Sequence, residues 1–179
     1  MTLDVLAVEA FTEGRLNRDD AETQRQLDAA LAAARGYCGW HVTPVNTGAQ
    51  VTVDGTGGAL LALPTLALSA VTAVTEDGVE LDVDTLEWSL RGLVRKPYGQ
   101  LWTTRFSGVT ATITHGYASA PDFESAVLSA IERGTFAAGG GETPRVIGPF
   151  QYASATSAGA LFTDPERAVF DRYALERMP

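Results

Sequence analysis

The hydrophobic period changes twice along this 179-residue chain, and that constrains the fold more than any other feature. Leu3, Leu6, Ala7, Ala10 and Phe11 recur at helical spacing, as do Leu27, Ala30, Leu31, Ala34 and Cys38. From Trp40 to Tyr117 the period is two, clearest where Val109, Ala111 and Ile113 alternate with Thr110, Thr112 and Thr114. At Phe123, Val127, Ala130 and Ile131 it is helical again. Helices on both sides of one uninterrupted β segment exclude an alternating βαβ order and predict the α+β class. The expected architecture is a helical core with an inserted antiparallel β meander and an extended C-terminal arm ending in a short helix.

The punctuation sets the boundaries. Thr2 is the candidate N-cap and Gly14 the stop of a helix over 3–12. Asn17 caps a helix over 18–38, with Asp19, Asp20 and Glu22 facing the positive end of its dipole. Pro121-Asp122 opens a helix over 121–137. Within the β region, 42–117, Asp54-Gly55 and Gly57-Gly58 separate Gln50–Val53 from Ala59–Leu63, which reads as a hairpin. Glu76-Asp77-Gly78 joins Leu68–Thr75 to Val79–Val83 in a second hairpin with Glu80, Asp82 and Asp84 on a wet face. Leu86–Leu90 and Gly92–Arg95 form short strands around Arg91-Gly92. Residues 1–138 thus form one domain. The segment 139–179 comprises a glycine-rich passage, the arm, and a helix announced by the capping box Thr163-Asp-Pro-Glu166.

Composition narrows the function classes. Thirteen basic against twenty-two acidic residues, a formal charge of −9, disfavour a nucleic-acid binder, which needs clustered Lys and Arg. The single Cys38 excludes an internal disulfide framework and a multi-cysteine zinc site. No run approaches the roughly 18 apolar residues of a membrane span. The N-terminus, with Asp4 and Glu9, lacks the basic region of a signal peptide.

Candidate chemistry is thin. Cys38 and His41 lie where a helix runs out, without an orienting partner or oxyanion site, so a small buried Cys and a surface His are expected. His115 follows a strand with no second ligand at metal-binding spacing; a hydrogen bond within the turn that Gly116 permits is expected. Asp77, Glu80, Asp82, Asp84 and Glu87 form a solvated or partner-facing surface rather than an acid/base pair. Gly57-Gly58 and Gly139–Gly141 lack the following Lys-Ser/Thr of a phosphate loop. Arg91, Arg95, Lys96 and Arg105, interleaved with Trp88, Tyr98, Trp102 and Phe106, could hold single-stranded nucleic acid. Within a −9 chain the same mixture reads better as protein-interface anchors. The chain is therefore read as a non-enzyme with no cofactor and no metal.

An ordered set of short motifs adds a resemblance. Leu63-Pro64-Thr65-Leu66 precedes the Val71–Val74 strand and Glu76-Asp-Gly-Val-Glu-Leu81. Trp88, Arg91-Gly-Leu-Val-Arg95, Trp102 and Val109-Thr-Ala-Thr-Ile-Thr-His-Gly-Tyr117 follow, then Pro121 and a helix. Tyr37-Cys-Gly-Trp40 lies upstream; Ile147-Gly-Pro-Phe-Gln-Tyr152 and Arg172-Tyr173 lie downstream. From about Leu3 to Tyr173 the chain resembles the head-to-tail connector (adaptor) proteins of long-tailed bacteriophages of actinobacterial type.

The resemblance implies a virion structural protein of the neck, assembled in a bacterial cytoplasm. A dodecameric ring of it would sit beneath the portal protein, extend the DNA channel and carry a stopper or head-completion protein. Viral DNA would pass through the lumen without specific binding, and no membrane is involved. Carried onto this chain, it gives Ile147, Phe150, Tyr152, Phe162, Phe170 and Tyr173 as anchors of a portal-facing arm. Asp54, Gly55, Glu76, Asp77 and Gly78 become tail-side loops, and Leu27, Leu31, Arg91, Arg95, Trp102 and Arg105 subunit-interface candidates. The alternatives are another neck component, a stopper or tail-completion protein, and a small nucleic-acid-binding module; the helical stripes favour the adaptor over the β-barrel expected of a stopper.

Overall fold

Two clusters of elements form in the computed structural model, which describes residues 3–138, 146–147, 150–151 and 162–176. One comprises Met1–Ala34 with Pro121–Arg172, the other Arg35–Ala120 with the segment from Tyr173. The α+β class expected from the sequence holds.

The helical unit is built on α1 (Val5–Phe11), the start of α2 (Ala21–Cys38), α3 (Pro121–Ala138) and α4 (Asp164–Asp171). The cap of α1 is Asp4, whose side chain accepts from the Ala7 N–H at 2.9 Å, and not Thr2, which lies outside the described residues. A carboxylate satisfies an orphan donor and also complements the dipole, which a hydroxyl does not. Gly14 stops the helix as expected, at φ +77°. α2 starts three residues later than its sequence suggests. Asn17 accepts from the Asp19 N–H in a local turn, and Asp20 takes over at the helix end by accepting from the Glu22 N–H at 2.9 Å.

α3 packs against α1 and α4. Phe123 and Phe170, both fully buried, meet edge-on with ring centroids 5.3 Å apart, and Phe162 meets Phe170 at 4.7 Å. The capping box of α4 forms as read, the Thr163 N–H donating to Glu166 Oε2 at 2.7 Å. Glu166 is itself only 7% exposed and receives a two-pronged bond from Arg133, at 2.9 and 2.7 Å.

The β unit contains two sheets. The larger has the order β1-β7-β3-β4, antiparallel throughout, from β1 (Asn46–Val53), β7 (Val109–His115), β3 (Leu68–Glu76) and β4 (Val79–Leu81). The smaller has the order β2-β6-β5, from β2 (Leu60–Ala62), β6 (Leu93–Arg95) and β5 (Glu87–Trp88). One apolar core joins them: Leu61 and Val94 from the small sheet lie with Leu68, Val74, Val109, Ala111 and Ile113 from the large one. β7 alternates buried and half-buried positions along its length, as its Val/Thr pattern demands.

The hairpin through Asp77-Gly78 is present, both residues at positive φ. β4 ends earlier than expected: Val83 falls in the single turn Val83–Thr85, and Val79 is 65% exposed on an edge strand. The hairpin expected through Asp54–Gly58 does not form. β1 pairs with β7 and β2 pairs with β6, so the chain changes sheet at this loop. The loop instead hydrogen-bonds along Trp102–Arg105, with Gly55 N to Arg105 O, Gly57 N to Thr103 O and Trp102 N to Gly58 O at 2.8–2.9 Å. A Cβ at Gly55 would overlap the Thr103 carbonyl, and one at Gly57 would sit 2.7 Å from Thr104 Cγ2. These glycines serve a long-range approach and not a two-residue turn.

A short third pair joins β8 (Val146–Ile147) to β9 (Phe150–Gln151).

Candidate functional site

Three loops of the β unit converge at one end of the large sheet, where Val53 and Glu76 both pair with Val109. They are 54–58, 76–78 and 101–108. Beyond the ladder just described, the Ser107 N–H donates to Asp54 Oδ1 at 2.6 Å and the Asp77 N–H to the Gly108 carbonyl at 2.8 Å. Arg105 pairs with Asp77 at 3.7 Å. Asp54, Gly55, Asp77 and Gly78, expected at two separate hairpin tips, therefore share one surface with a third loop, while Glu76 turns inward. The sequence marked Trp102, Arg105 and Phe106 of that third loop only as part of a basic and aromatic mixture. That loop carries Phe106, 88% exposed, beside Ser107 at φ +51°.

Beneath this surface lies a buried ion pair. Lys96 and Glu76 side chains are 7% and 14% exposed and bond to each other. Lys96 also donates to the Leu101 carbonyl at 2.9 Å and stands 4.6 Å from the Trp102 ring centroid, while Glu76 Oε1 accepts the Thr103 N–H at 2.7 Å. The one lysine of the chain thus pins the 101–108 loop to the end of β3 and is not part of an exposed basic patch. Trp102 is buried in the same core, its indole N–H unpartnered among the described residues.

Of the other interface candidates, Leu27 is buried and Leu31 half-buried in the helical unit. Arg91, Arg95 and Arg105 are exposed, Arg95 pairing with Glu87 across β5–β6. The small sheet presents Leu60, Ala62, Leu93, Arg95 and Glu87 on one outward face, all exposed, because Leu60 opposes Arg95, Arg95 opposes Glu87, and Ala62 opposes Leu93. Exposed Leu60 and Leu93 gave no signal of their own in the sequence; only strand register reveals that they share a face.

The arm candidates divide. Phe162 and Phe170 are committed to the interior of the helical unit, because the capping box turns the chain back onto α3. The Tyr173 carbonyl accepts the Trp40 indole N–H at 2.7 Å and its ring meets Tyr117 edge-on at 5.5 Å, both inside the β unit. Ile147 and Phe150 lie in β8 and β9, with their side chains outside the described residues, as is all of Tyr152.

The two histidines, distant in sequence, meet. Their rings are perpendicular with centroids 4.3 Å apart, His115 is 5% exposed, and the Trp40 ring stacks on it at 6.2 Å. His41, expected at the surface, is half-buried with Nε2 2.8 Å from the Pro44 carbonyl. His115 Nδ1 has no partner among the described residues, so the turn hydrogen bond expected of it is absent. Burial first, and the neighbouring His41 second, push the His115 imidazole down to about 4. Burial lowers His41 too, Arg35 adding to the effect, against hydrogen bonding to the Pro44 and His115 backbone. The Trp40-His41 and His115-Gly-Tyr117 motifs were the available signal, since each sets a histidine beside an aromatic ring. Among the described residues no three His, Cys, Asp or Glu side chains are grouped to hold a metal ion.

No family model and no curated protein matches the sequence. Solved structures match the fold from end to end. A chain from the neck of a native GTA particle, computed with C12 symmetry, is 17% identical with a TM-score of 0.60, covering 100% of this chain and 94% of that chain. One from the neck of an empty GTA particle, computed with C6 symmetry, is 19% identical at TM-score 0.59, covering 98% and 90%. A third, from the virion of a native gene transfer agent (GTA) particle, is 18% identical at TM-score 0.58, covering 98% and 92%. At these identities the likeness establishes a common fold.

Proposed function

We propose that this chain is a structural subunit of a phage-type neck, a head-to-tail adaptor of the connector type its motifs resemble, acting without catalysis. Copies form a closed ring beneath the portal, extend the DNA channel and carry the next tail-side ring. The observation that carries this reading is the match to a neck chain over 100% of this chain and 94% of that one, on a sequence whose motif order independently suggests the same class.

The physical features agree with such a role. A formal charge of −9 on every copy gives a ring a strongly negative field, which repels DNA phosphates and lets the duplex slide. The three converging loops, pinned from below by Lys96 and Glu76, present Phe106 on a rigid platform suited to the tail-side partner. The segment around Ile147, Phe150 and Tyr152 serves the portal side.

Co-sedimentation with the portal protein of the same genome tests this. The full chain is expected to travel with the portal, and a variant with residues 146–152 replaced by Gly and Ser to stay behind. A protein that ignores the portal, or binds it equally well without that segment, would overturn the corresponding part of the reading.

A further inference from the structure

We infer that the outer face of the small sheet, β2-β6-β5, is where one copy of this chain binds the helical unit of a second copy. This inference rests on the ring reading and names the contact that would build the ring.

The face is apolar and unshielded. Leu60 is 52% and Leu93 42% exposed, sitting diagonally across the β2–β6 pair. The face is extended at the β5–β6 turn by Leu90, 70% exposed, whose carbonyl fixes it to the start of β3. A patch of this kind beside arginine is the composition of an interface core, and isolated surface leucines are not.

Charge identifies the occupant. Arg91, exposed in the β5–β6 turn next to Leu90, forms no ion pair among the described residues. Most other described arginines are paired within the chain; Arg35 instead donates to the His41 and Thr43 carbonyls at 3.1 and 3.0 Å. The helical unit holds fourteen acidic and seven basic residues, against eight and six in the β unit. Its acids lacking an ion pair among the described residues include Glu13, Asp19 and Asp20 where α1 leads into α2, and Asp28 two turns into α2, all exposed. A cationic apolar face on one unit and an anionic face on the other are two different patches. A cyclic ring requires just such a heterologous contact, since a self-complementary patch stops at a dimer. Pairing them also lets copies that each carry −9 approach one another.

The test places the photo-reactive residue p-benzoylphenylalanine at Leu60, Leu90 or Phe106 in the full chain, expressed with its particle genes, and irradiates the particles. Crosslinks from Leu60 and Leu90 are expected to map to residues 13–32 of a second copy. Arg91→Glu is expected to raise the concentration for half-maximal assembly at least ten-fold. Crosslinks from Leu60 and Leu90 to a different protein, or to another part of a second copy, overturn the inference while leaving the ring. So do self-crosslinks from Phe106 alone. No self-crosslink from any position, with the chain monomeric in the particle, overturns the ring reading itself.

Discussion

Replacing Lys96 by methionine should be far more damaging than a single surface lysine would suggest. The ammonium is 7% exposed and contacts the Glu76 carboxylate, the Leu101 carbonyl and the Trp102 face. Removing one partner of a buried pair leaves the other charge uncompensated, at about 3–5 kcal/mol. Glu76 keeps the Thr103 N–H and is 14% exposed, which sets the value near the lower end, about 3 kcal/mol. Glu76→Gln keeps an acceptor for the Thr103 N–H but strands the Lys96 ammonium, which retains the Leu101 carbonyl and the Trp102 face, and should also cost about 3 kcal/mol. The double variant Lys96→Met/Glu76→Gln has no stranded charge and should cost about 1.5 kcal/mol, well below the sum of the two singles. All three tryptophans, Trp40, Trp88 and Trp102, lie in the β unit, so fluorescence-detected urea unfolding reports that unit directly. A Lys96→Met loss below 1 kcal/mol, or a double variant as unstable as the two singles summed, would refute the reasoning.

Two further outcomes follow from the buried ionisable groups. His115 is held down at about 4 in the folded chain against about 6.5 unfolded, so its contribution is complete above pH 6.5 and is lost as pH falls toward 4. The wild-type β unit should lose about 2 kcal/mol between pH 7 and pH 5 from this group, and His115→Gln should flatten that slope in urea unfolding at the two pH values. In the helical unit, burial alone would raise Glu166, but hydrogen bonds from Arg133 and Thr163 outweigh it and hold its carboxyl below the usual range. Its stabilisation is therefore present above the unfolded carboxylate value and lost as pH falls through the lowered one. Arg133→Met should cost about 3 kcal/mol at pH 7, followed by helical circular dichroism, and the deficit should shrink as acid neutralises the stranded carboxyl.

Local signals were legible in the sequence and long-range ones were not. Pro121 with Asp122, the Thr163–Glu166 box, the Asp77-Gly78 turn and the alternation in Val109–His115 act within a few residues, and each appears where it was expected. Asp54–Gly58 has the same composition as a hairpin turn, yet its glycines exist to let a loop from far downstream approach. β1 pairs with β7 for the same kind of reason: edge choice depends on which apolar faces find one another, and no local pattern encodes that. Lys96 looked like a member of a surface patch because charge runs do not disclose burial. Phe162 and Phe170 looked available because their spacing fits both an anchor and a core, and only α3 decides between them. The exposed face built from Leu60 and Leu93 needed strand register to become visible.

Electron cryo-microscopy of the purified protein combined with the portal protein of its own genome tests the central claim most directly. The account predicts a closed ring of this chain, coaxial with the portal, with the 54–58, 76–78 and 101–108 loops facing away from it. A chain that stays monomeric beside an unmodified portal, or that binds it singly without ring closure, would contradict it.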